Sequence, residues 1–151
     1  MVAISDSLCY QLVKGHHAFL QKRNGRSNRT GTVQFTTESG NVKNLNSSKY
    51  TGIAKTQTVD LTSVEDSNGR QVVQLTLLTG KVGKTRGASS KRSIALKKNF
   101  RRSVRSMSRV TGGNYRSDLS DDALARYAKL KAGVQVANGV KEGTKVKLGR
   151  A

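Results

Sequence analysis

A long segment without acidic residues runs through the second half of the chain, from residue 67 to residue 117. A helix that is only solvated mixes charges of both signs, so that side chains four residues apart can pair. Here like charges recur at that spacing, as in Lys97 with Arg101 and Arg105 with Arg109. The segment holds thirteen cations, which are Arg70, Lys81, Lys84, Arg86, Lys91, Arg92, Lys97, Lys98, Arg101, Arg102, Arg105, Arg109 and Arg116. Because such neighbours repel one another in water, the pattern predicts a face that binds a polyanion.

The same segment keeps apolar residues at helical spacing. Leu96, Phe100, Val104 and Met107 follow one another at steps of four, four and three residues. This spacing predicts a helix with one apolar stripe, which lies on a sheet and ends at Gly112-Gly113.

A second C-terminal helix is predicted directly after this one. Its candidate caps are Ser117 and Ser120, and Gly133 follows its last turn. Acidic side chains are favourable in the first turn of a helix, and this one offers Asp118, Asp121 and Asp122. We therefore assign these carboxylates to the helix start and not to a metal site.

The first half of the chain has mainly the patterns of strands. A short helix, capped by Ser5 or Asp6 and ended by Gly15, carries Leu8 and Leu12 on one side. Strand-like segments follow at 18–24, at 32–37 with Val33 and Phe35 alternating, and at 49–64. Asn68-Gly69 predicts a hairpin with a tight primed turn, a returning strand at 71–78 and then a basic connector at 80–92.

Together these patterns predict an α+β protein. A small antiparallel β-sheet is packed by an N-terminal helix and two C-terminal helices, with basic loops and an extended C-terminal tail. We expect one RNA-binding domain over residues 1–133 and a Gly-rich basic tail over residues 134–151. The net charge of +19 and a hydrophobic content of 34% predict an anionic partner, a small core and marginal folding without that partner.

Other classes of protein fit the sequence poorly. The one cysteine, Cys9, predicts a buried apolar residue and a reducing compartment, and no Cys and His spacing of a zinc site is present. His16 and His17 are adjacent and cannot form an acid and base pair. The stretch from Gly80 to Thr85 imitates a phosphate-binding loop, but Leu78 stands where that motif needs a glycine. We therefore expect no enzyme activity, no cofactor, no metal and no small-molecule substrate.

The polyanion is best matched by folded RNA. A membrane-binding helix would need a broad apolar face, and the stripe here is narrow. Arginine forks and Gly- and Ser-containing connectors suit the irregular phosphate surface of RNA, although charge alone leaves duplex DNA open. We expect the protein in the cytosol or nucleus.

Several short stretches occur in the order and spacing of one known family. They are FLQKRN at 19–24, NSSKYTGI at 46–53, GRQVVQL at 69–75 and NYRSDL at 114–119. The chain resembles, over most of residues 8–131, the eukaryote-specific large-subunit ribosomal protein family numbered twenty-eight in the eukaryotic series. Ser117 stands where the family pattern has a proline.

The resemblance implies that Lys22, Arg23, Asn24, Lys49, Tyr50, Tyr115 and Arg116 lie at or near ribosomal RNA. Core packing is the alternative role for both tyrosines. The remaining predicted RNA contacts come from the basic loops and the acid-free segment: Arg26, Arg29, Lys55, Lys84, Arg86, Lys91, Arg92, Lys97, Lys98, Arg101, Arg102, Arg105 and Arg109.

The expected function is that of a structural component of the large cytoplasmic ribosomal subunit, assembled in the nucleolus. Its lysines and arginines would clamp phosphates of ribosomal RNA, and neighbouring ribosomal proteins would share the site. The alternative is a ribosome-biogenesis factor with a similar RNA-binding domain.

Overall fold

The structure, a computed structural model, describes residues 4–21, 33–79, 91–113 and 115–139. It confirms the α+β class, with an N-terminal helix, small antiparallel sheets and two C-terminal helices. In chain order the elements are α1 (Asp6–Val13), β1 (Leu20–Gln21), β2 (Phe35–Thr36), β3 (Gln57–Glu65), β4 (Gln71–Thr79), β5 (Lys91–Ala95), α2 (Phe100–Thr111) and α3 (Ser120–Ala137). A 3-10 turn, Ser117–Leu119, leads into α3.

The larger sheet has the antiparallel order β3-β4-β5 and is built on the predicted hairpin. The prediction of a primed two-residue turn is wrong, however. The Asp66 N–H donates to the Arg70 carbonyl at 2.8 Å, and the Gly69 N–H donates to the Asp66 carbonyl at 2.9 Å. Gly69 has a φ of +69° but Asn68 does not adopt a positive φ. A type I′ turn needs a positive φ at both central residues and a type II′ turn needs it at the first, so neither fits Asn68-Gly69. The loop is a longer one in which Gly69 supplies the left-handed conformation.

Strand β5 was not predicted, because the sequence assigned residues 91 and 92 to a flexible connector. Leu75 pairs with Ile94 and Leu77 with Arg92, and the Leu96 N–H then donates to the Val73 carbonyl at 2.8 Å. Leu96 is buried at the end of this strand and does not belong to the helical stripe. As a short basic strand at the edge of the sheet, β5 has little of the alternation that marks a half-buried strand.

The core lies between one face of the larger sheet and the C-terminal helices. Val59, Leu61, Val73, Leu75 and Leu77 are buried on that face. Helix α3 packs on β3 and β4, and α2 packs mainly on α3. The prediction that the basic helix lies directly on the sheet is therefore wrong, because α3 occupies that place.

Helix α2 begins and ends close to the predicted residues. The Asn99 side chain accepts from the Arg102 N–H and caps the helix start, and Gly112 follows the last turn. Within the predicted stripe, Met107 is buried, while Phe100 is half-exposed and stacks on Tyr127 with ring centroids 5.5 Å apart.

Helix α3 passes through Gly133 and ends at Ala137, so residues 134–137 are helical and not part of an extended tail. Val134 is buried in the core, and the Asn138 side chain exchanges two 2.9 Å hydrogen bonds with the Gln71 backbone. These contacts hold the last turn against β4 and outweigh the weak helix propensity of one glycine. Neither Ser117 nor Ser120 caps α3, since no side chain makes a capping hydrogen bond there. Residues 140–151 of the predicted tail lie outside the described part of the chain.

Helix α1 forms as predicted, with Ser5 as its cap. None of its residues is buried, and Leu8 and Leu12 are 52% and 71% exposed. Polar contacts hold the helix instead: the Tyr10 hydroxyl donates to the Asn46 carbonyl at 3.2 Å, and the Asn46 side chain donates to the Lys14 carbonyl at 2.8 Å.

The apolar alternation at residues 32–37 also faces water. Val33 and Phe35 are exposed, whereas Thr36 is buried, so the polar side of β2 is the one that packs. Cys9 is half-buried and reduced, which differs from the fully buried residue expected. None of the described helices is long and apolar enough to cross a membrane.

Candidate nucleic-acid interface

Four arginines share one side of α2. At about 100° per residue they fall within an arc of about 100°, and the buried residues of the helix occupy the opposite side. The four are Arg101, Arg102, Arg105 and Arg109, and we call this set the arginine face. The buried residues are Ser103, Met107 and Thr111. Packing of one side of α2 thus directs the arginine face into solvent.

The arginine face has no internal counter-charge. All four side chains are exposed, and none forms an ion pair with an acid in the part of the chain that the structure describes. Side chains three or four residues apart on a helix are neighbours, so these like charges repel one another. Helix α2 therefore presents a surface whose electrostatic complement is a row of anions.

Other predicted contacts in the acid-free segment have different surroundings. Lys97 donates to Asp66 at 2.8 Å, and this hydrogen bond holds the pKa of that carboxyl below its usual value. Lys91 and Arg92 are exposed on β5 and, as consecutive strand residues, point to opposite faces of the sheet. Lys98 is exposed just before α2, next to the arginine face in sequence.

A second group of cations surrounds Tyr50. Its hydroxyl donates to Asp122 at 2.8 Å, and the ammonium groups of Lys43 and Lys49 lie 5.4 and 5.2 Å from the ring centroid. Both lysines also pair with Asp122, at 3.2 and 3.6 Å. Burial alone would raise the pKa of Asp122, but the hydrogen bonds from Tyr50 and Lys43 and the two lysine charges hold it below its usual value.

Tyr115 and Arg116 join several elements of the protein to each other. The Tyr115 hydroxyl accepts from the Thr58 N–H at 3.1 Å and lies within hydrogen-bond distance of the Thr58 and Leu78 carbonyls. Burial raises the pKa of this hydroxyl. The Arg116 guanidinium donates to the carbonyls of Gln57 and Lys49, both at 2.8 Å.

Arg116 also forms a 2.8 Å pair with Asp118, and its hydrogen bond lowers the pKa of that carboxyl. Its side chain is only 13% exposed. Both Tyr50 and Tyr115 pack against the core, which was the alternative role given to them. Their contact with RNA, and that of Arg116, stays a prediction.

Lys55 lines a polar hollow of about 220 Å³ together with Lys49, Arg116, Asp6 and Asp118. The hollow brings together three of the predicted RNA contacts from distant parts of the sequence. The remaining predicted contacts lie outside the described residues: Lys22, Arg23, Asn24, Arg26, Arg29, Lys84 and Arg86. The phosphate-loop imitation at 80–85 lies there too.

Arg126 and Lys43 were not singled out from the sequence. The Arg126 guanidinium donates to the carbonyls of Leu61, Asn41 and Val42 at 3.0, 2.9 and 2.9 Å, and to the Asn44 side chain at 3.1 Å. It also lies 3.6 Å from Asp60. In sequence it is one more cation of an Ala-rich basic helix, and no local signal marks its distant partners.

Among the described residues, no group of three or more His, Cys, Asp or Glu side chains could hold a metal ion. The cations instead form two classes. Those of the arginine face have no acidic partner among the residues that the structure describes, whereas Lys43, Lys49, Lys97, Arg116 and Arg126 are bonded to acids or carbonyls of other parts of the chain.

Comparison with known proteins identifies the family to which the chain belongs. The chain is 27% identical over 134 residues to a protein of Dictyostelium discoideum named large ribosomal subunit protein eL28, which covers 89% of this chain and 92% of that protein. It is 29% identical over 135 residues to the protein of the same name from Caenorhabditis elegans, and the match covers 87% of this chain and 97% of that protein. The Ribosomal L28e protein family matches residues 8–133. With most of its length matched, the chain belongs to the Ribosomal L28e protein family.

Proposed function

We propose that this protein is a structural component of the large ribosomal subunit and holds ribosomal RNA through the arginine face of α2. Family membership supports the first part, because the relatives it resembles are named as proteins of that subunit. The observation that carries the second part is the set of four exposed arginines on the side of α2 opposite its buried residues, none of which is paired with an acid among the described residues.

Fixed arginines bind phosphate better than arginines on a mobile chain, since less side-chain and backbone order is lost on binding. Met107 and the Phe100–Tyr127 stack anchor α2 to the rest of the fold. The cap from Asn99 fixes the helix start. The arginine face is therefore held in register before RNA arrives, and each guanidinium can donate two parallel hydrogen bonds to a phosphate.

The bonded cations have a different part in this function. Lys97 and Arg116 join the hairpin, the 49–57 segment and the C-terminal helices, so we propose that they position the RNA-binding surface more than they neutralise phosphate. The basic residues outside the described part of the chain, including Lys22, Arg23 and Lys84, are proposed as further phosphate contacts. The protein acts in cytoplasmic ribosomes after assembly in the nucleolus, beside other ribosomal proteins, and performs no catalysis.

The test compares two double variants with the same change in net charge. Arg102→Gln with Arg105→Gln removes half of the arginine face, and Lys14→Gln with Arg70→Gln removes two exposed cations elsewhere. Affinity for large-subunit ribosomal RNA is measured between 50 and 200 mM salt. The first variant should reduce the slope of log affinity against log salt by roughly 2, because two phosphate contacts are lost.

The control variant should change that slope much less. Equal losses in both variants would mean that net charge alone binds the RNA, and the arginine face would have no special role. Sedimentation of a cell extract at moderate and high salt tests the first part of the proposal. The protein should travel with mature large subunits; a protein found only with precursor particles would be a biogenesis factor.

A further inference from the structure

A groove of about 420 Å³ runs between α3 and residues 42–44. The residues that line it are different from those of the arginine face. Its apolar lining comes from Val42, Ala125 and Leu130. Lys43, Lys129 and Asp122 also line the groove, and Asp122 is paired with Lys43 at 3.2 Å. A volume of this size is within the range of small-molecule sites, and its mixture of apolar surface and cations matches a ligand with one flat apolar part and one anionic part.

The guanidinium of Arg126 also lines the groove. Its nitrogens donate to the carbonyls of Leu61, Asn41 and Val42 and to the Asn44 side chain, and hydrogen bonds of a guanidinium lie in its plane. The Nε and one terminal nitrogen are thus hydrogen-bonded to protein, the other terminal nitrogen lies 3.6 Å from Asp60, and the side chain remains 23% exposed. What it can offer to a ligand is the planar face of a cation, and that face stacks well on aromatic rings.

We propose that this groove receives a single unstacked base of RNA. The base lies against Val42 and Leu130 and stacks on the face of Arg126, and a flanking phosphate meets Lys129, while Lys43 offsets the charge of Asp122. Lys129 is exposed and forms no ion pair with an acid among the described residues, so it is available to a phosphate. Unpaired nucleotides in RNA are commonly recognised by stacking on arginine planes.

The inference rests on the proposed RNA-binding function and adds a second, different contact to it. The arginine face meets phosphates and does not distinguish paired from unpaired RNA. The groove would distinguish them, because a base held in a duplex cannot enter it. An RNA helix that binds the arginine face and carries a bulged nucleotide within reach of the groove would therefore engage both surfaces.

The test uses two RNA hairpins that are identical except for one bulged nucleotide, with the full-length chain. Ala125→Leu fills the groove from an exposed position of α3, and Ala132→Leu makes the same change at an exposed position outside it. The unchanged protein and Ala132→Leu should bind the bulged hairpin about 5-fold or more tighter than the paired one, as expected for one stacked base. Ala125→Leu should bind both hairpins equally. No preference in the unchanged protein, or a preference that survives Ala125→Leu, would overturn the proposal.

A second measurement needs no variant. The Arg126 Nε–H, which donates to the Leu61 carbonyl, is followed by NMR during addition of adenosine 5′-monophosphate, ribose 5-phosphate or inorganic phosphate. Only the nucleotide should give a saturable shift, because only it carries an aromatic base that can stack on the guanidinium; an equal shift with ribose 5-phosphate would mean simple anion binding. Arg102→Gln with Arg105→Gln should leave this shift unchanged while weakening the binding of ribosomal RNA, so the two proposals can fail separately.

Discussion

Replacement of Arg126 by methionine tests how far one guanidinium holds the fold together. Methionine keeps most of the aliphatic stem and removes every donor. The carbonyls of Asn41 and Leu61, both in fully buried residues, would then lose a charged partner. Asp60, also buried, would lose its nearby cation.

Each buried acceptor left without a partner costs about 1–3 kcal/mol. Water can reach part of the site, since the Arg126 side chain is 23% exposed, so the penalties will not add in full. We expect Arg126→Met to lower the free energy of unfolding by about 2–4 kcal/mol, less than the upper range for breaking a fully buried ion pair.

The assay is urea unfolding followed by circular dichroism at one fixed salt concentration. Arg102→Met is the matched control, because that arginine has no acidic partner among the described residues and should change stability by less than about 0.5 kcal/mol. If both variants unfold at the same urea concentration as the unchanged protein, Arg126 does not join α3 to the sheet in the way its hydrogen bonds indicate.

Three further predictions concern single positions. Gly52→Ala should destabilise the protein by more than about 2 kcal/mol, because the added Cβ would lie 2.0 Å from a backbone carbonyl oxygen. Gly133→Ala, with open space on α3, should stabilise it by about 0.5–1 kcal/mol. Thermal melts that rank the two variants the other way would contradict this. Tyr127→Phe removes a buried hydroxyl that has no hydrogen-bond partner among the described residues. The melting temperature of the variant should therefore equal or exceed that of the unchanged protein. A clear fall would mean that the hydroxyl makes a hydrogen bond. The hydrogen bond from Arg116 lowers the pKa of Asp118 in the folded protein. The stability that this carboxylate contributes is therefore fully present above its pKa in the unfolded chain, about 3.9, and is lost as the pH falls through its lower pKa in the folded protein. The stability gap between the unchanged protein and Asp118→Asn should therefore close below about pH 4, and a gap that stays constant with pH would refute this linkage.

Local signals in the sequence were sufficient for several elements. Asn68-Gly69 located the hairpin, and the spacing of Val104 and Met107 located α2, because a turn and a helix are each decided by residues close in sequence. The arginine face could also be predicted in part, since like charges four residues apart are visible without any structure.

Elements decided by distant partners could not be predicted in this way. Strand β5 exists because Leu75 and Leu77 offer it an edge, and α3 continues past Gly133 because Gln71 binds Asn138. Neither partner is near in the chain. The same reason explains the exposed apolar side of α1, where periodicity indicated an amphipathic helix but not whether anything covers it.

The sequence also shows how many charged residues the chain has, but not which of them are bonded to other residues in the fold. Lys97 pairs with Asp66 and Lys43 with Asp122, over separations of 31 and 79 residues, so neither pair has a local pattern. Only Arg116 and Asp118 are close enough in sequence to be read as a pair. The predicted RNA contacts therefore mixed cations that face solvent with cations that join elements of the fold.

This division explains how a chain of net charge +19 can fold at all. Two unit charges about 6 Å apart in water repel by roughly 0.7 kcal/mol, and salt screens this further, so the arginine face costs α2 only a modest amount. The same repulsion between cations inside the fold, where the effective dielectric constant is lower, would be several times larger. The structure places Asp60, Asp66, Asp118 and Asp122 each against a cation. Asp60 is buried, Asp66 and Asp122 are partly buried, and Asp118 is exposed. These four acids thus neutralise charge where elements meet, and four arginines without an acidic partner among the described residues are grouped on α2, where a polyanion can reach them.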